Sequence, residues 1–266
     1  MLIFYLFNLS AVLDTIIGDW VFFGIDMNSS ENNFINSFTE SFFNNIIAAN
    51  RYLIILDGLK TTVIISIASV LLGTILGSLI CWMNMSKLKV LQKLAQTYIS
   101  ILRGTPLLVL LMIIFYIVFA SVNIDPVLVA IIAFALNFAA YSSEIFRTGI
   151  NSINKGQTEA GIALGFSKTE TFKNIVLPQA VRRIIPVYKN EMVTLIKMTS
   201  IVGYIAVQDL TKAGDLIRSR TFDAFFPLIM IAILYFSISW SIIKLIEYFE
   251  HKTDKRLQVK RKKNND

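Results

Sequence analysis

The chain has 266 residues, of which 55% are hydrophobic and 16% charged, and it carries a formal net charge of +7. Its mean hydropathy of +0.63 is too apolar for an ordinary soluble domain and predicts a membrane protein. The single cysteine, Cys81, excludes an internal disulfide, and the single histidine, His251, lies in a charged tail. Neither supports a thiol or histidine enzyme, and neither can form a metal site with a partner of its own kind.

The N-terminal 52 residues predict a lead-in that lies outside the membrane or on its surface. Residues 1–25 are apolar, yet Asp14 and Asp19 would each cost about 2.5–3.5 kcal/mol near the centre of a membrane helix. The segment also lacks the basic start of a secretory signal peptide. A sixth span in this region is the alternative interpretation.

Five later stretches are long and apolar enough to cross a bilayer, where every backbone amide must be bonded within its own helix. They predict an all-α membrane protein with about five transmembrane helices, at residues 59–83, 106–122, 127–146, 188–207 and 225–246.

The distribution of lysine and arginine predicts the orientation of these spans. If the first span ends in the cytoplasm, the inner side holds 17 basic residues in three groups, at residues 87–93, 147–189 and 252–263. The outer side then holds four, namely Arg51, Lys212, Arg218 and Arg220. The excess on one side predicts an N-terminus outside and a C-terminus inside.

Residues 154–178, in the cytoplasmic loop between the third and fourth spans, predict two short helices. Asn154 is suited to cap the first helix and Gly165 to end it in a left-handed turn. Ser167 and Glu170 have the spacing of a capping box for the second helix, and Pro178 is expected to end that helix. One interpretation is a hairpin that only covers the end of the helix bundle.

Small residues in the first short helix favour a partner. Glu159 is expected in its first turn, where the helix dipole favours negative charge. Ala160, Gly161 and Ala163 leave one face nearly bare, which suits docking into a groove of another protein.

The same residues resemble the coupling loop of ABC-transporter permease subunits. The match consists of Glu159-Ala160-Gly161, then Gly165 after three residues, then residues 175–178 (IVLP) after nine more. The third position is usually alanine in that family and is Gly161 here. The resemblance implies that Glu159, Ala160, Gly161, Gly165 and Pro178 couple the chain to an ATPase.

Further motifs are similar to the bacterial polar amino-acid permeases of this superfamily. They are RGTPLL at residues 103–108, AY at 140–141, EIFR at 144–147 and LPQA at 177–180. The resemblance covers about residues 53–254. It implies a permease domain at 53–250, after the lead-in at 1–52 and before a basic cytoplasmic tail at 251–266. The alternative interpretation of the lead-in is the remnant or start of a linker to a fused binding-protein domain, which some relatives carry.

The resemblance also implies the partners and the location. Two permeases, identical copies or sister chains, form the pore in the bacterial inner membrane, with ATPase subunits inside and a substrate-binding protein outside. The chain has no GxxxxGK[ST] motif, so we expect no ATPase site, no catalytic residue and no cofactor of its own, with ATP used by the partner subunit. The lipid bilayer is a further partner, and nucleic acid is not expected.

Polar residues within the spans are candidates for the substrate path. Lys197, Thr199 and Ser200 lie in the fourth predicted span, where a charged side chain is costly and indicates function. The alternative for Lys197 is a structural ion pair with Glu191 or Glu144. The family commonly has an aspartate at the position of Met198, which weakens any inference of a cationic substrate.

Asn137 and Tyr141 share one face of the third span and are suited to bond the amino or carboxylate group of a substrate. The alternative is that they bond neighbouring helices, as such residues often do in membranes. Gly73 and Gly77 form a GxxxG pattern that predicts close helix packing.

Residues 208–224 predict an external amphipathic helix, either a docking surface for the binding protein or a plain interfacial helix. The basic tail predicts a solvated segment, with contact to anionic lipid as the alternative.

Three other functions remain as alternatives. An intramembrane enzyme is disfavoured because the spans lack a nucleophile with its base, or paired carboxylates. The others are a permease for another small solute and a non-transporting scaffold that binds a cytoplasmic partner through residues 154–178.

Overall fold

The computed structural model describes residue 36 and residues 38–253, and within these residues every regular element is helical. Residues 1–35 and 37 of the lead-in at 1–52, with the alternative sixth span at 1–25, and the tail beyond residue 253 lie outside the described residues. The main helices are α1 (Arg51–Asn84), α2 (Lys89–Gly104), α3 (Leu107–Ile113), α4 (Pro126–Asn151), α5 (Lys155–Ala163), α6 (Lys168–Thr171), α7 (Leu177–Met198), α8 (Leu210–Thr221) and α9 (Phe225–Thr253).

Helices α1 and α4 form the centre of the bundle, and glycines set how closely they pack. A Cβ atom on Gly73 would lie 2.9 Å from the Ala135 carbonyl oxygen, and one on Gly77 would collide with Ser142 Oγ. The predicted packing role of the GxxxG pattern is therefore confirmed. Phe134 and Phe138 of α4 are fully buried in the main apolar core at this contact.

Three helices are long and apolar enough to cross a membrane, namely Phe38–Asn84, Pro126–Asn151 and Phe225–Tyr248. They confirm the first, third and fifth predicted spans as helices. The count rises to five if each of two bent helix pairs forms one span.

The second predicted span, 106–122, is helical from Leu107 to Val118, and it is long enough to cross a membrane only together with α2. Helix α3 and the π-helical turn Ile114–Val118 that follows it make up 12 residues, about 18 Å at 1.5 Å per residue, which is too short for a bilayer core of about 30 Å. This segment meets α2 at an angle of 107°. The bend lies at Thr105 and Pro106. Thr105 is extended, because proline disfavours helical geometry in the residue before it, and Pro106 has a ψ of 135°, which is not helical.

The fourth predicted span, 188–207, is part of a longer helix. From Lys168 to Ile205 the chain runs through α6, the π-helical turn Phe172–Val176, α7 and the 3-10 turn Thr199–Ile205 without a sharp break. The expectation that Pro178 ends a helix is therefore wrong. Pro178 lies in the first turn of α7, where a missing N–H costs little.

The predicted helix at 208–224 is present as α8, which meets the preceding helix at 55°. One face, formed by Leu210, Ala213, Gly214 and Ile217, is buried against α1 and α9. Asp209 caps the helix by accepting hydrogen bonds from the Thr211 and Lys212 amides. Asp215, Arg218 and Arg220 of α8 are exposed, and Lys212 is half-buried.

Candidate functional site

The first helix of the hairpin has the predicted boundaries. Asn154 Oδ1 accepts a hydrogen bond of 2.8 Å from the Gly156 amide, as an N-cap does. At the other end Gly165 has a φ of +88°, and the Phe166 amide donates to the Gly161 carbonyl oxygen at 3.1 Å. This arrangement satisfies the last carbonyl groups and turns the chain sharply.

The second helix of the hairpin begins with the predicted capping box. The Ser167 amide donates to Glu170 Oε2 at 2.8 Å, and the Glu170 amide donates to Ser167 Oγ at 3.3 Å. Hydrogen bonds from the Ser167 side chain and backbone lower the pKa of Glu170. Both predicted caps are confirmed.

Two details of the hairpin differ from the sequence prediction. Glu159 is the fifth residue of α5, beyond its first turn, because the Asn154 cap starts the helix at Lys155. Gly161 does not leave a bare face for a partner, since it is buried and a Cβ atom there would lie 2.5 Å from Thr171 Cγ2. Gly161 therefore allows the two short helices of this chain to close on each other.

The outer surface of the hairpin is apolar, although no sequence pattern predicted this. Glu159 and Ala160 are exposed, and Leu164 keeps 76% of its surface accessible. Three more large apolar side chains are exposed in the same segment, namely Ile162, Phe166 and Phe172. We call these four apolar residues the hairpin patch. Exposed apolar surface of this kind is typical of a protein interaction site.

The hairpin is fixed to the start of α7. Gln179 Nε2 donates to Gln157 Oε1 at 3.0 Å, and Arg183 Nη1 donates to the Ser152 carbonyl oxygen at 2.6 Å. Ile153, Val176 and Ala180 form a small buried apolar cluster beneath it. These contacts join the hairpin to the start of α7.

The structure places the two polar residues of α4 next to α2. Asn137 is buried, and its Nδ2 donates to the Leu102 carbonyl oxygen at 3.1 Å, so it bonds the neighbouring helix. Tyr141 is half-buried, and the Arg103 guanidinium carbon lies 5.1 Å from the centre of its ring. This distance is that of a cation–π contact.

The other candidates lie at the end of α7 and in the turn after it. Lys197 is exposed, and within the described part of the chain no ion pair joins it to Glu191 or Glu144. Glu144 pairs with Arg147. Thr199 is buried, and its hydroxyl donates to the Ile196 carbonyl oxygen at 2.7 Å. Ser200 is half-buried. No described hydrogen bond or ion pair joins this group to Asn137 or Tyr141.

A polar cleft of about 570 Å³ lies between α2 and the adjoining ends of α1 and α4. Gln96 Nε2 donates to Asn84 Oδ1 at 3.4 Å, and Asn84 Nδ2 donates to Glu144 Oε1 at 3.2 Å. Arg147 bonds both oxygens of Glu144, at 2.9 and 2.7 Å. Arg103 lines the same cleft, so the cleft reaches the residue that contacts Tyr141.

The sequence prediction missed the glutamines of this cleft because α2 lies outside the five apolar stretches. A signal was present, since Gln92, Gln96 and Arg103 recur at spacings of four and seven residues, which places them on one face of a helix.

Comparison with known proteins gives a consistent result. Residues 69–255 match the family described as "Binding-protein-dependent transport system inner membrane component". A putative glutamine transport system permease protein of Rickettsia typhi is 37% identical over 211 residues, which cover 79% of this chain and 95% of that protein. An L-cystine transport system permease protein of Bacillus subtilis is 39% identical over 205 residues, with 77% and 86% covered.

Solved structures of ABC transporters contain chains that are similar to this one. The crystal structure of an amino acid ABC transporter with histidines has a chain that is 35% identical, with a TM-score of 0.69, and 76% of this chain and 94% of that chain are covered. An inward-facing MetNI methionine ABC transporter has a TM-score of 0.59 at 17% identity, with the same shares covered, and shows the fold alone. The chain belongs to the family of inner membrane components of binding-protein-dependent transport systems.

Proposed function

We propose that this chain is the permease subunit of an ATP-driven importer of polar amino acids. The hairpin carries this proposal, because it combines the coupling-loop pattern with an exposed apolar patch and a firm attachment to α7. The named relatives are permeases for glutamine and L-cystine, which supports a polar amino acid as the substrate.

The partners follow from this role. A second permease, either another copy or a sister chain, completes the pore, and a substrate-binding protein delivers the amino acid from outside. Separate ATPase subunits bind the hairpin and use the ATP. The hairpin and the basic residues between 147 and 189 lie on the cytoplasmic side of the bacterial inner membrane. Helix α1 enters the membrane from the outer side.

The structure suggests how the hairpin acts on the spans. When the ATPase subunits close on ATP, the bound hairpin moves with them. The helical run from Lys168 to Ile205 carries this movement to the core, where Leu195, Val202 and Ile205 pack in the same cluster as Phe134. A stiff connection is needed, because a flexible loop would absorb the displacement.

The substrate path runs through the polar cleft and past the C-terminal end of α7. Arg103 offers a guanidinium group to a carboxylate, and Glu144, which Arg147 holds in place, offers a carboxylate to an ammonium group, so the cleft suits a zwitterion. Tyr141 stands beside Arg103 at the inner end of this path. Lys197, Thr199 and Ser200 are the further candidates.

Uptake by proteoliposomes tests this function. The permease, its ATPase and its binding protein are reconstituted, and the entry of labelled glutamine, cystine, arginine and glucose is measured with ATP inside. We expect ATP-dependent entry of at least one amino acid and none of glucose. Entry of a non-amino-acid solute alone would identify a permease of another class. ATPase binding without entry of any solute would identify a scaffold.

A further inference from the structure

Helix α7 contains a proline in its interior. Pro186 lies well after the first turn of α7. A proline there has no N–H to donate to the carbonyl oxygen four residues earlier, and its ring crowds that carbonyl group, which weakens and commonly kinks a helix. Nevertheless the helical run from Lys168 to Ile205 continues past Pro186 without a sharp bend. Contacts with other helices are therefore needed to keep α7 stiff at this point.

Tyr188 holds the turn after this proline against two helices. Its hydroxyl shares a hydrogen bond with the Thr74 hydroxyl of α1. The centre of its ring lies 5.6 Å from the ring centres of both Phe138 and Phe146 of α4. These contacts restrain α7 on the side that faces the bundle core.

An ion pair joins the next residue of α7 to the last helix. Lys189 Nζ donates to Glu247 Oε1 of α9 at 3.4 Å, and the Lys189 side chain is only 17% exposed. In the described part of the chain, each of the other ion pairs joins two residues of one helix. Because water screens a partly buried pair less than a surface pair, this contact holds α7 and α9 together more firmly than a surface pair would. Consecutive helical residues point about 100° apart, so Lys189 restrains the turn in a different direction from Tyr188.

Glu247 has a second partner on its own helix. Glu247 Oε2 accepts from Lys244 Nζ at 3.0 Å, and the Lys244 side chain is 55% exposed. One carboxylate is therefore bound by a lysine that joins two helices and by a lysine that joins only residues of α9. The two lysines allow a matched comparison.

We propose that the Lys189–Glu247 pair keeps α7 stiff beside Pro186, which makes Lys189 and Glu247 positioning residues for the coupling of ATP hydrolysis to transport. This inference rests on the proposed function, in which α7 carries the movement of the hairpin to the core. Without the pair, α7 bends more easily at Pro186, and part of the movement is lost before it reaches Leu195 and Val202 in the core.

The test is the number of ATP molecules hydrolysed per amino acid imported by reconstituted proteoliposomes, at equal amounts of membrane-inserted protein. In Lys189→Met this ratio is expected to rise at least about twofold, as for substitutions that alter the coupling between two sites. Glu247 keeps Lys244 in this variant, so the carboxylate still has a cation beside it. The matched control is Lys244→Met, which removes the other lysine and is expected to keep the wild-type ratio.

Two further variants separate this role from general stability. Glu247→Gln breaks the same contact from α9 and is expected to raise the ratio as well. Pro186→Ala supplies the missing amide donor, so it should return the ratio of Lys189→Met to the wild-type value although it restores no contact with α9. A pair that only stabilises the fold would lower the melting temperature in Lys189→Met and leave the ratio unchanged.

Three results would overturn the inference. They are an unchanged ratio in Lys189→Met, an equal rise in Lys244→Met, and a ratio that stays raised in the double variant Pro186→Ala/Lys189→Met. If the wild-type complex imports no amino acid with ATP, the proposed function fails. If the wild-type complex imports an amino acid and Lys189→Met has the same ratio, only this inference fails.

Discussion

Gly165 shows how much depends on single residues of the hairpin. Its φ of +88° ends α5, and no atom of the surroundings lies within 4 Å of where a Cβ would stand. The requirement is therefore conformational and not steric. A left-handed backbone costs a residue with a Cβ about 1–2 kcal/mol, while asparagine tolerates it better.

We accordingly expect Gly165→Val to separate ATP hydrolysis from uptake, because it displaces the hairpin that follows. Gly165→Asn is the matched control and should keep most of the wild-type ratio. The measurement is the number of ATP molecules hydrolysed per amino acid imported, at equal amounts of membrane-inserted protein. Equal ratios in both variants and the wild type would argue against the hairpin as the coupling element.

Glu159→Lys tests the exposed face of the same hairpin. Glu159 has no structural role at the helix start, so its charge reversal should leave membrane insertion intact and weaken ATPase binding. The affinity of the purified ATPase for the permease in nanodiscs measures this effect. Glu170→Gln, within the capping box, controls for hairpin stability, and a larger loss of affinity in that variant would contradict a direct contact of Glu159.

Gly161 offers a test of packing inside the hairpin. In Gly161→Ala the new methyl group meets Thr171 Cγ2, and overpacking typically costs about 1–3 kcal/mol, more than the gain of up to about 1 kcal/mol in helix propensity. We expect a lowered melting temperature of the purified protein and its recovery in Gly161→Ala/Thr171→Ala. A double variant no more stable than the single one would contradict this contact.

At the scale of elements, features that depend on neighbouring residues could be predicted from the sequence, whereas contacts between separate helices could not. The caps at Asn154, Gly165 and Ser167 depend on neighbours within three or four residues, and sequence reasoning found all of them. The contact of Gly161 with Thr171 joins two helices, so its sequence neighbourhood did not reveal it. Pro106 and Pro178 show the same limit, since one breaks a predicted span and the other begins a helix turn.

The capping box adds a dependence on pH. Because hydrogen bonds lower the pKa of Glu170 in the folded state, their stabilisation is present above the unfolded value of about 4.3 and is lost as the pH falls through the folded value. Hydrogen exchange of the Ser167 amide, which donates to the Glu170 carboxylate, should therefore show less protection on acidification below about pH 4. Glu170→Gln removes the titrating carboxyl and should lack this change, and an identical acid response in that variant would exclude the box as its cause.

At the scale of the whole molecule, the elements form a path between two ends. The hairpin precedes α7, the α8–α9 turn follows it, and α7 packs into the core around Phe134. Sequence composition and periodicity predicted the helical membrane class and three long helices. The breaks in the other two predicted spans were missed, because hydropathy does not register a change in direction.

The central claim is that binding of a loaded partner outside is coupled to ATP use inside through this chain. The most direct test measures ATP hydrolysis by the complex in nanodiscs, with and without binding protein saturated with its amino acid. We expect loaded binding protein to raise the hydrolysis rate severalfold, and Gly165→Val to lose this response. A rate that does not change when loaded binding protein is added to the wild-type complex would contradict the account.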